Sequence, residues 1–154
     1  MRYALAFLLI PACLMLLVAS TPAVAADDPC TARAERFLTQ LGAGNGVAAL
    51  DELYASNPWI QSSQDDILSL KNQLAGLEGI VGAYKRHLPI SEVRLAGCWV
   101  YLGYMVLFDR QPIRFEFQFY RPENEWMTYG FSYDDDLDDD VVTEGRARAL
   151  QPGS

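Results

Sequence analysis

Apolar residues recur at helical spacing between residues 28 and 79. The first stripe follows the i, i+3, i+4, i+7 spacing of one helix face and comprises Ala34, Phe37, Leu38 and Leu41. Asp28 and Pro29 precede it and are typical of a helix N-cap and first turn, and Gly42 and Gly44 follow it. The pattern therefore predicts a first helix that ends at these glycines.

Two further helices are predicted after the first. The second begins near Asn45 and ends at Asn57, because the residue before a proline is pushed out of the α region. Its apolar side carries Val47, Leu50, Leu53 and Tyr54. The third helix has apolar positions at Ile67, Leu70, Leu74 and Leu77. We expect Gly76 and Gly79 to end it.

The pattern changes from helical to extended after Gly79. Residues 80–89 are predicted as an edge strand, and residues 93–108 form one long run rich in Val, Leu, Tyr and Trp. Residues 113–120 alternate, and their apolar set is Ile113, Phe115, Phe117 and Phe119. Residues 126–133 alternate again, with the apolar set Met127, Tyr129, Phe131 and Tyr133.

The turns between these strands predict how the strands pair. Arg121 to Glu125 fits a three-residue hairpin loop with Asn124 in the left-handed position. Phe119, Phe117 and Phe115 would then face Met127, Tyr129 and Phe131. An even loop would oppose them to Thr128, Gly130 and Ser132 and split the apolar core. The loop over residues 109–112 adds a second apolar set to this face: Val100, Leu102, Tyr104, Val106 and Phe108.

One apolar sheet face and three amphipathic helices predict an α+β fold. Three N-terminal helices would pack on one face of a curved antiparallel sheet of about four strands. The outer face carries an apolar and aromatic patch made of Trp99, Tyr101, Met105, Leu107, Tyr120 and Trp126. Its polar rim is Arg114, Glu116, Gln118 and Thr128. This patch is either a contact surface, for which a two-fold homodimer is the default, or a face covered by the chain's own tail.

The N-terminus has the pattern of a secretory signal peptide. The run Leu5–Val18 is almost wholly apolar, a positive residue precedes it, and Ala23–Ala26 offers a small-residue cleavage site. The run is shorter than the roughly 20 residues of a membrane-spanning helix, so no transmembrane anchor is expected after cleavage. We predict a signal peptide over residues 1–26, one domain over residues 27–142, a disordered tail over residues 143–154, and a periplasmic location.

Composition and cysteine use narrow the class of protein. The 154 residues include 12 Lys+Arg and 20 Asp+Glu, a formal net charge of −8, and 51% apolar residues. These values suit one globular domain and argue against binding to nucleic acid, which needs a basic surface. Cys30 and Cys98 remain after cleavage, in an oxidising compartment. They form either a disulfide bond or two separate thiols.

Four short stretches carry a resemblance to a known superfamily. They are Leu53-Tyr54 with Asn57-Pro58-Trp59, Asp109-Arg110-Gln111-Pro112, Phe119-Tyr120-Arg121-Pro122 and Phe131-Ser132-Tyr133-Asp134. Together with three helices before a strand meander, they resemble the nuclear transport factor two-like superfamily. This cone-shaped fold includes ketosteroid isomerases and SnoaL-like cyclases, and the chain looks like an exported bacterial group with no assigned activity. The resemblance covers most of residues 30–140 and implies a pocket between sheet and helices.

Few residues could carry chemistry in such a pocket. Superfamily enzymes place a carboxylate or histidine base there, but the predicted inner face carries Tyr104, Tyr129 and Tyr133 and no carboxylate. A base would have to come from a helix or loop, such as Asp51 or Glu52. We therefore assign no catalytic residue. The candidate ligand-binding residues, at the predicted mouth and inner face, are Leu53, Tyr54, Trp59, Tyr104 and Tyr129.

The single histidine and the acidic run carry no metal signature. His87 lies beside Lys85 and Arg86 and is predicted to be a surface residue. The chain has no zinc-type ligand spacing. In the run over residues 134–140, Asp139 stands at the sixth position, where a calcium loop needs glycine, and Gly145 stands at the twelfth, where it needs a bidentate glutamate. We expect no metal and no cofactor.

Two classes of function remain open at this point. The first is an exported, non-catalytic module that binds a small apolar ligand or an envelope protein. The alternative is a small-molecule isomerase, dehydratase or cyclase acting in the cone pocket. An unpartnered carboxylate facing Tyr104 or Tyr129 would favour the enzyme. A pocket filled by Phe115, Phe117 and Phe119 would exclude it.

Overall fold

The computed structural model describes residues 28–60 and 64–149, so the predicted signal peptide and the last five residues lie outside the described part. Three helices precede four strands, and a fourth helix follows them. The helices are α1 (Pro29–Gly42), α2 (Gly46–Tyr54), α3 (Gln64–Val81) and α4 (Leu137–Ala149). The strands are β1 (Tyr84–Leu95), β2 (Trp99–Phe108), β3 (Pro112–Tyr120) and β4 (Met127–Asp134). The predicted α+β class with four antiparallel strands is confirmed.

Helix α1 begins where the sequence predicts, and α3 ends later than predicted. Asp28 caps α1 by accepting a hydrogen bond from the Thr31 amide at 2.9 Å. Helix α3 runs through Gly76 and Gly79, so the predicted end was wrong. A helical glycine costs only about 1 kcal/mol relative to alanine, and the buried Leu74, Leu77 and Val81 hold this helix on the core. The chain turns at Gly82, whose positive φ of 89° suits a residue without a side chain.

The phenylalanine face of β3 forms the centre of the core, as predicted. The sheet is an antiparallel meander in the order β1-β2-β3-β4, and Phe115, Phe117 and Phe119 are fully buried. Phe37 of α1 packs edge-on against Phe117, with 5.5 Å between ring centroids. The predicted β2 set shares this face and is buried: Val100, Leu102, Tyr104, Val106 and Phe108.

The long run predicted over residues 93–108 is in fact part of a hairpin. Strand β1 continues to Leu95, which pairs with Trp99 at the start of β2. The chain reverses at Ala96 and Gly97, both of which have positive φ. Alanine is unusual in that conformation, and the β-prone pattern continues on both sides of the turn. The sequence pattern therefore does not mark a turn at this position.

The predicted pairing of β3 with β4 was wrong at the hairpin. Tyr120 pairs with Met127 and Phe119 with Thr128, so the loop has an even length. Asn124 does not have positive φ. Tyr129 is the extra residue of a β-bulge, and after it Phe117 pairs with Phe131 and Phe115 with Tyr133. The bulge keeps the later aromatic residues on the core side, but it turns Thr128 inward and Tyr129 outward.

Thr128 is tolerated in the core because its polar atoms are paired. It is fully buried, and its hydroxyl donates to the Leu53 carbonyl at 2.6 Å. The Asn57 side chain donates to the Thr128 carbonyl at 2.8 Å and accepts from the Trp59 amide at 2.9 Å. Asn57 is itself buried, so this residue ties the end of α2 to β4 through hydrogen bonds that water cannot replace.

We predict that Asn57→Ala lowers the free energy of unfolding by about 2 kcal/mol, because it leaves the buried Thr128 carbonyl without a donor. Urea denaturation followed by far-ultraviolet circular dichroism measures the change. Asn124→Ala, in the exposed hairpin loop, is the matched control. Equal stability of the two variants would contradict the assignment.

Candidate functional site

The five predicted ligand-binding residues do not come together in the structure. Leu53 is buried in the core, and Tyr54 packs against the core at its edge. Trp59 is 77% exposed in the loop after α2. Tyr129 points to the outer face of the sheet, so its predicted inward orientation was wrong, because the bulge reverses its direction. Tyr104 alone faces both the helices and an open cleft.

The space beneath the sheet is filled by aromatic side chains. The ring of Phe37 in α1 packs against three rings of the sheet. Its centroid lies 4.8 to 6.3 Å from those of Phe115, Phe117 and Phe131. The three inward phenylalanines of β3 have no exposed surface. A substrate pocket at the centre of the predicted cone is therefore occupied by the protein's own core.

An open cleft lies instead at the edge of this core, between α1 and the β1–β2 hairpin. Its volume is about 370 Å³, within the roughly 300–1,000 Å³ typical of small-molecule sites. Its walls are Thr31, Glu35, Pro89, Ile90, Ser91, Glu92, Leu102 and Tyr104. Thr31 and Glu35 are one helical turn apart and therefore share the face of α1 that lies over the sheet edge.

Glu35 is held at one end of the cleft by a hydrogen bond from the sheet. His87 Nε2 lies 2.6 Å from Glu35 Oε2, and the Tyr104 phenol lies close enough to the same carboxylate for its charge to raise the pKa of the phenol. The other ring nitrogen, Nδ1, is hydrogen-bonded to the Tyr84 hydroxyl. Because an ionised carboxylate only accepts, Nε2 carries the proton, and in the neutral ring Nδ1 accepts from Tyr84.

The predicted surface position of His87 was wrong. Only 18% of its side chain is exposed, and its ring meets Tyr104 edge-on with 5.9 Å between centroids. A register shift between Tyr84 and Arg86 makes Lys85 an extra residue in β1. Residues three apart on a regular strand point to opposite faces, but this bulge lets Tyr84 and His87 meet.

Burial and nearby carboxylates shape the electrostatics of the cleft. The pKa of the Tyr104 phenol is raised well above its ordinary value, first by burial and then by the charges of Glu35, Glu92 and Asp28. Tyr104 is therefore a proton donor at neutral pH rather than a phenolate. The arrangement can accept hydrogen bonds from a ligand and can hold a carboxylate in one orientation.

Glu35 is the residue that the sequence reasoning missed. The helical pattern placed it beside the apolar stripe of α1, and its partners lie 52 and more residues away. Asp51 and Glu52, the suggested bases, lie away from the cleft. Asp51 pairs with Lys71 at 2.5 Å, and Glu52 pairs with Arg36 at 2.9 Å. The one feature of the sequence that pointed towards this site was the single histidine of the chain.

The cysteines are free thiols in the structure. Cys30 is fully buried in α1, and burial together with the charge of Asp28 raises the pKa of its thiol to about 11. Cys98 is partly exposed, and its sulfur lies 3.8 Å from the Leu95 carbonyl oxygen. The alternative of two separate thiols describes this structure, and a bridge between them remains a prediction.

The outer sheet face differs from the predicted patch at two positions. Trp126 packs against the core and under the Arg121 guanidinium, because the longer hairpin loop turns it inward. Tyr129 takes its place, 4.7 Å from Trp99 and 6.4 Å from Tyr120 between ring centroids. Tyr101 and Met105 remain on this face, which Glu116 and Arg114 cross. The homodimer predicted through this surface remains a prediction.

The tail that was predicted to be disordered forms α4 as far as Ala149. Its side chains are exposed, and Asp140 pairs with Arg114, which also binds Asp134 at 3.0 Å. The ion pair between Asp140 and Arg114 thus attaches α4 to the outer face of the sheet, where Tyr129 remains exposed. None of the helices within residues 28–60 and 64–149 is both long and apolar enough to cross a membrane.

Comparison with known proteins adds no family to these observations. A scan against protein-family models and searches of curated proteins and solved structures give no match to the chain. The resemblance to the nuclear transport factor two-like superfamily therefore stays a prediction. The function has to be inferred from the residues of the cleft.

The ion pair at the cleft mouth predicts a pH-dependent stability. Both terminal nitrogens of Arg94 donate to the Asp28 carboxylate, at 2.9 and 3.1 Å. This contact lowers the pKa of Asp28 from 3.8 to about 2. A depressed folded-state pKa stabilises the fold above the unfolded value, and that stability is lost as the pH falls from 3.8 towards 2.

We predict that Asp28→Asn lowers the free energy of unfolding by about 1 kcal/mol at neutral pH, because asparagine still caps α1 but loses the ion pair. The difference from the wild type should vanish between pH 3.8 and pH 2. Urea denaturation across this range measures it. Asp65→Asn, at an exposed position of α3, is the control. A difference that does not change with pH would contradict the role given to Arg94.

Proposed function

We propose that this chain is an exported, small-molecule-binding module whose ligand occupies the cleft between α1 and the β1–β2 hairpin. One observation carries the proposal: the Glu35 carboxylate is held by His87 at the end of a cleft of ligand size that Tyr104 also lines. Export rests on the predicted signal peptide, and the predicted superfamily resemblance is compatible with a ligand held between helix and sheet.

The support given to Glu35 favours binding because it reduces the entropy cost of ordering the side chain. A free glutamate loses rotamer freedom when it contacts a ligand, which lowers affinity. Here a hydrogen bond from His87 already holds the carboxylate, although 42% of the side chain remains exposed. A ligand would therefore meet an acceptor whose position is set in advance.

The remaining walls supply apolar contact. Pro89, Ile90 and Leu102 line the cleft, and Ile90 is 42% exposed. Ile90 is the extra residue of a second bulge in β1, between Pro89 and Ser91. Few polar groups with a fixed orientation beside apolar walls are typical of small-molecule sites.

We predict that Ile90→Arg abolishes binding of small aromatic compounds, because the guanidinium would fill the cleft and pair with Glu35. A mixture of neutral, cationic and anionic aromatic fragments of roughly ten non-hydrogen atoms is a suitable probe. Saturation-transfer NMR should detect bound fragments with the wild type and lose them with the variant. The control is Ile80→Arg, at an exposed isoleucine in α3, and this variant should still bind the fragments. Fragments that survive Ile90→Arg would place the site elsewhere.

A second candidate function is acid–base catalysis in the same cleft. The specific observation in its favour is that the Glu35 carboxylate is hydrogen-bonded to the His87 imidazole and lies beside the buried Tyr104 phenol, the residue types of general acid–base chemistry. Two observations oppose it. Glu35 faces Tyr104 but already has a hydrogen-bond partner. The predicted substrate pocket is filled by Phe115 and its neighbours.

The two functions differ in their effect on an enolisable ketone. A general base exchanges the α-protons of cyclohexanone in D₂O, and proton NMR follows the loss of signal. We expect the wild type and Glu35→Gln to exchange them at the same rate, because the carboxylate of a binding module orients a ligand by hydrogen bonding and does not remove its α-protons. Faster exchange with the wild type would favour the enzyme over the binding module.

A further inference from the structure

The Thr31 hydroxyl at the cleft wall has already donated its proton. Thr31 Oγ1 donates to Asp28 at 2.9 Å. A hydroxyl has one proton and two lone pairs, so this group can only accept a further hydrogen bond. The Tyr104 phenol, which also lines the cleft, faces the charge of Glu35.

Ser91 supplies no donor to the cleft, because its hydroxyl lies on the other face of the sheet. Gly103 and Tyr101 share the outer face of β2, where the Tyr101 hydroxyl donates to Glu116 at 2.7 Å. A Cβ at Gly103 would lie only 2.2 Å from Ser91 Oγ, so the Ser91 hydroxyl is directed to that outer face and away from α1.

The two charged side chains in the lining are both carboxylates. Glu35 and Glu92 are acceptors when ionised, and no lysine or arginine stands among the described residues of the cleft wall. Arg94 is the nearby cation, and its donors are directed to Asp28 and Glu92. Both ring nitrogens of His87 are also occupied. The polar side chains of the cleft thus offer acceptors and an excess of negative charge.

We infer that the cleft selects a ligand with a protonated amine on an apolar body. This inference rests on the proposed function, since it names the chemical class of the ligand for that site. The ammonium group would donate to Glu35 and to the hydroxyl oxygens of Thr31 or Tyr104, and the apolar body would lie on Pro89, Ile90 and Leu102. An anionic ligand would meet the negative charges of Glu35 and Glu92.

The electrostatic field at the floor of the cleft agrees with this selection. The charges that raise the pKa of Tyr104 are those of Glu35, Glu92 and Asp28, all carboxylates on α1 and β1 or at their ends. The same potential that disfavours a phenolate favours a cation. The carboxylate of Glu35 is the partner in closest contact with this position.

Three probes with the same ring and different charge test the inference: 2-phenylethylamine, 2-phenylethanol and phenylacetate. His87 is the single histidine of the chain, so its ring signals in a long-range ¹H–¹⁵N NMR spectrum are assigned without mutation and report directly on Glu35. These signals should shift when the full mature chain is titrated with the amine at constant ionic strength. The dissociation constant obtained for the amine should be at least tenfold lower than that for the alcohol. Phenylacetate should leave them unchanged.

Glu35→Gln should weaken amine binding by about tenfold or more, which corresponds to about 1.4 kcal/mol. Glu123→Gln, in the exposed hairpin loop, removes the same charge and should leave binding unchanged. Thermal unfolding checks that both variants fold. Binding of the alcohol or phenylacetate as tightly as the amine would overturn the cation inference and keep the binding proposal. Absence of binding by all three probes would overturn both, as would amine binding that Glu35→Gln leaves unchanged.

Discussion

The packing of α1 against the phenylalanine face of β3 is the contact on which the rest of the structure depends. Phe37 meets Phe117 and Phe131, and Cys30, Ala34 and Leu38 are buried on the same side of the helix. This contact sets the height and rotation of α1 over the sheet. The face of α1 next to the buried stripe, with Thr31 and Glu35, is thereby directed to the sheet edge formed by β1 and β2.

The same contact explains why the site lies at the edge and not at the centre. Large side chains from both layers fill the middle, where a void would cost stability in proportion to its volume. Strand β1 extends beyond this filled region, and most of its residues are exposed. A cleft therefore opens where the helix covers the sheet but no aromatic residue fills the gap. Its chemistry comes from the few polar residues at that boundary.

Bulges decide which residues meet in the cleft and on the outer face of the sheet. One bulge at Lys85 brings Tyr84 to His87, another at Ile90 widens the cleft wall, and a third at Tyr129 moves an aromatic residue to the outer face. A single extra residue reverses the direction of every side chain up to the next correction. For this reason alternation predicted Phe115, Phe117 and Phe119 correctly but failed for Thr128 and Tyr129.

The amino-acid sequence by itself determined the first three helices, the inward face of β2 and β3, and the capping of α1 by Asp28, because these depend on neighbours a few residues apart. It also determined that the chain has one histidine and an excess of carboxylates. Only the tertiary structure decided that His87 leaves the surface to bind Glu35, that aromatic side chains fill the space beneath the sheet, and that the Thr31 hydroxyl at the cleft donates its proton to Asp28. Those outcomes depend on bulge positions and on contacts across 50 residues or more, which the local periodicity of a chain does not contain.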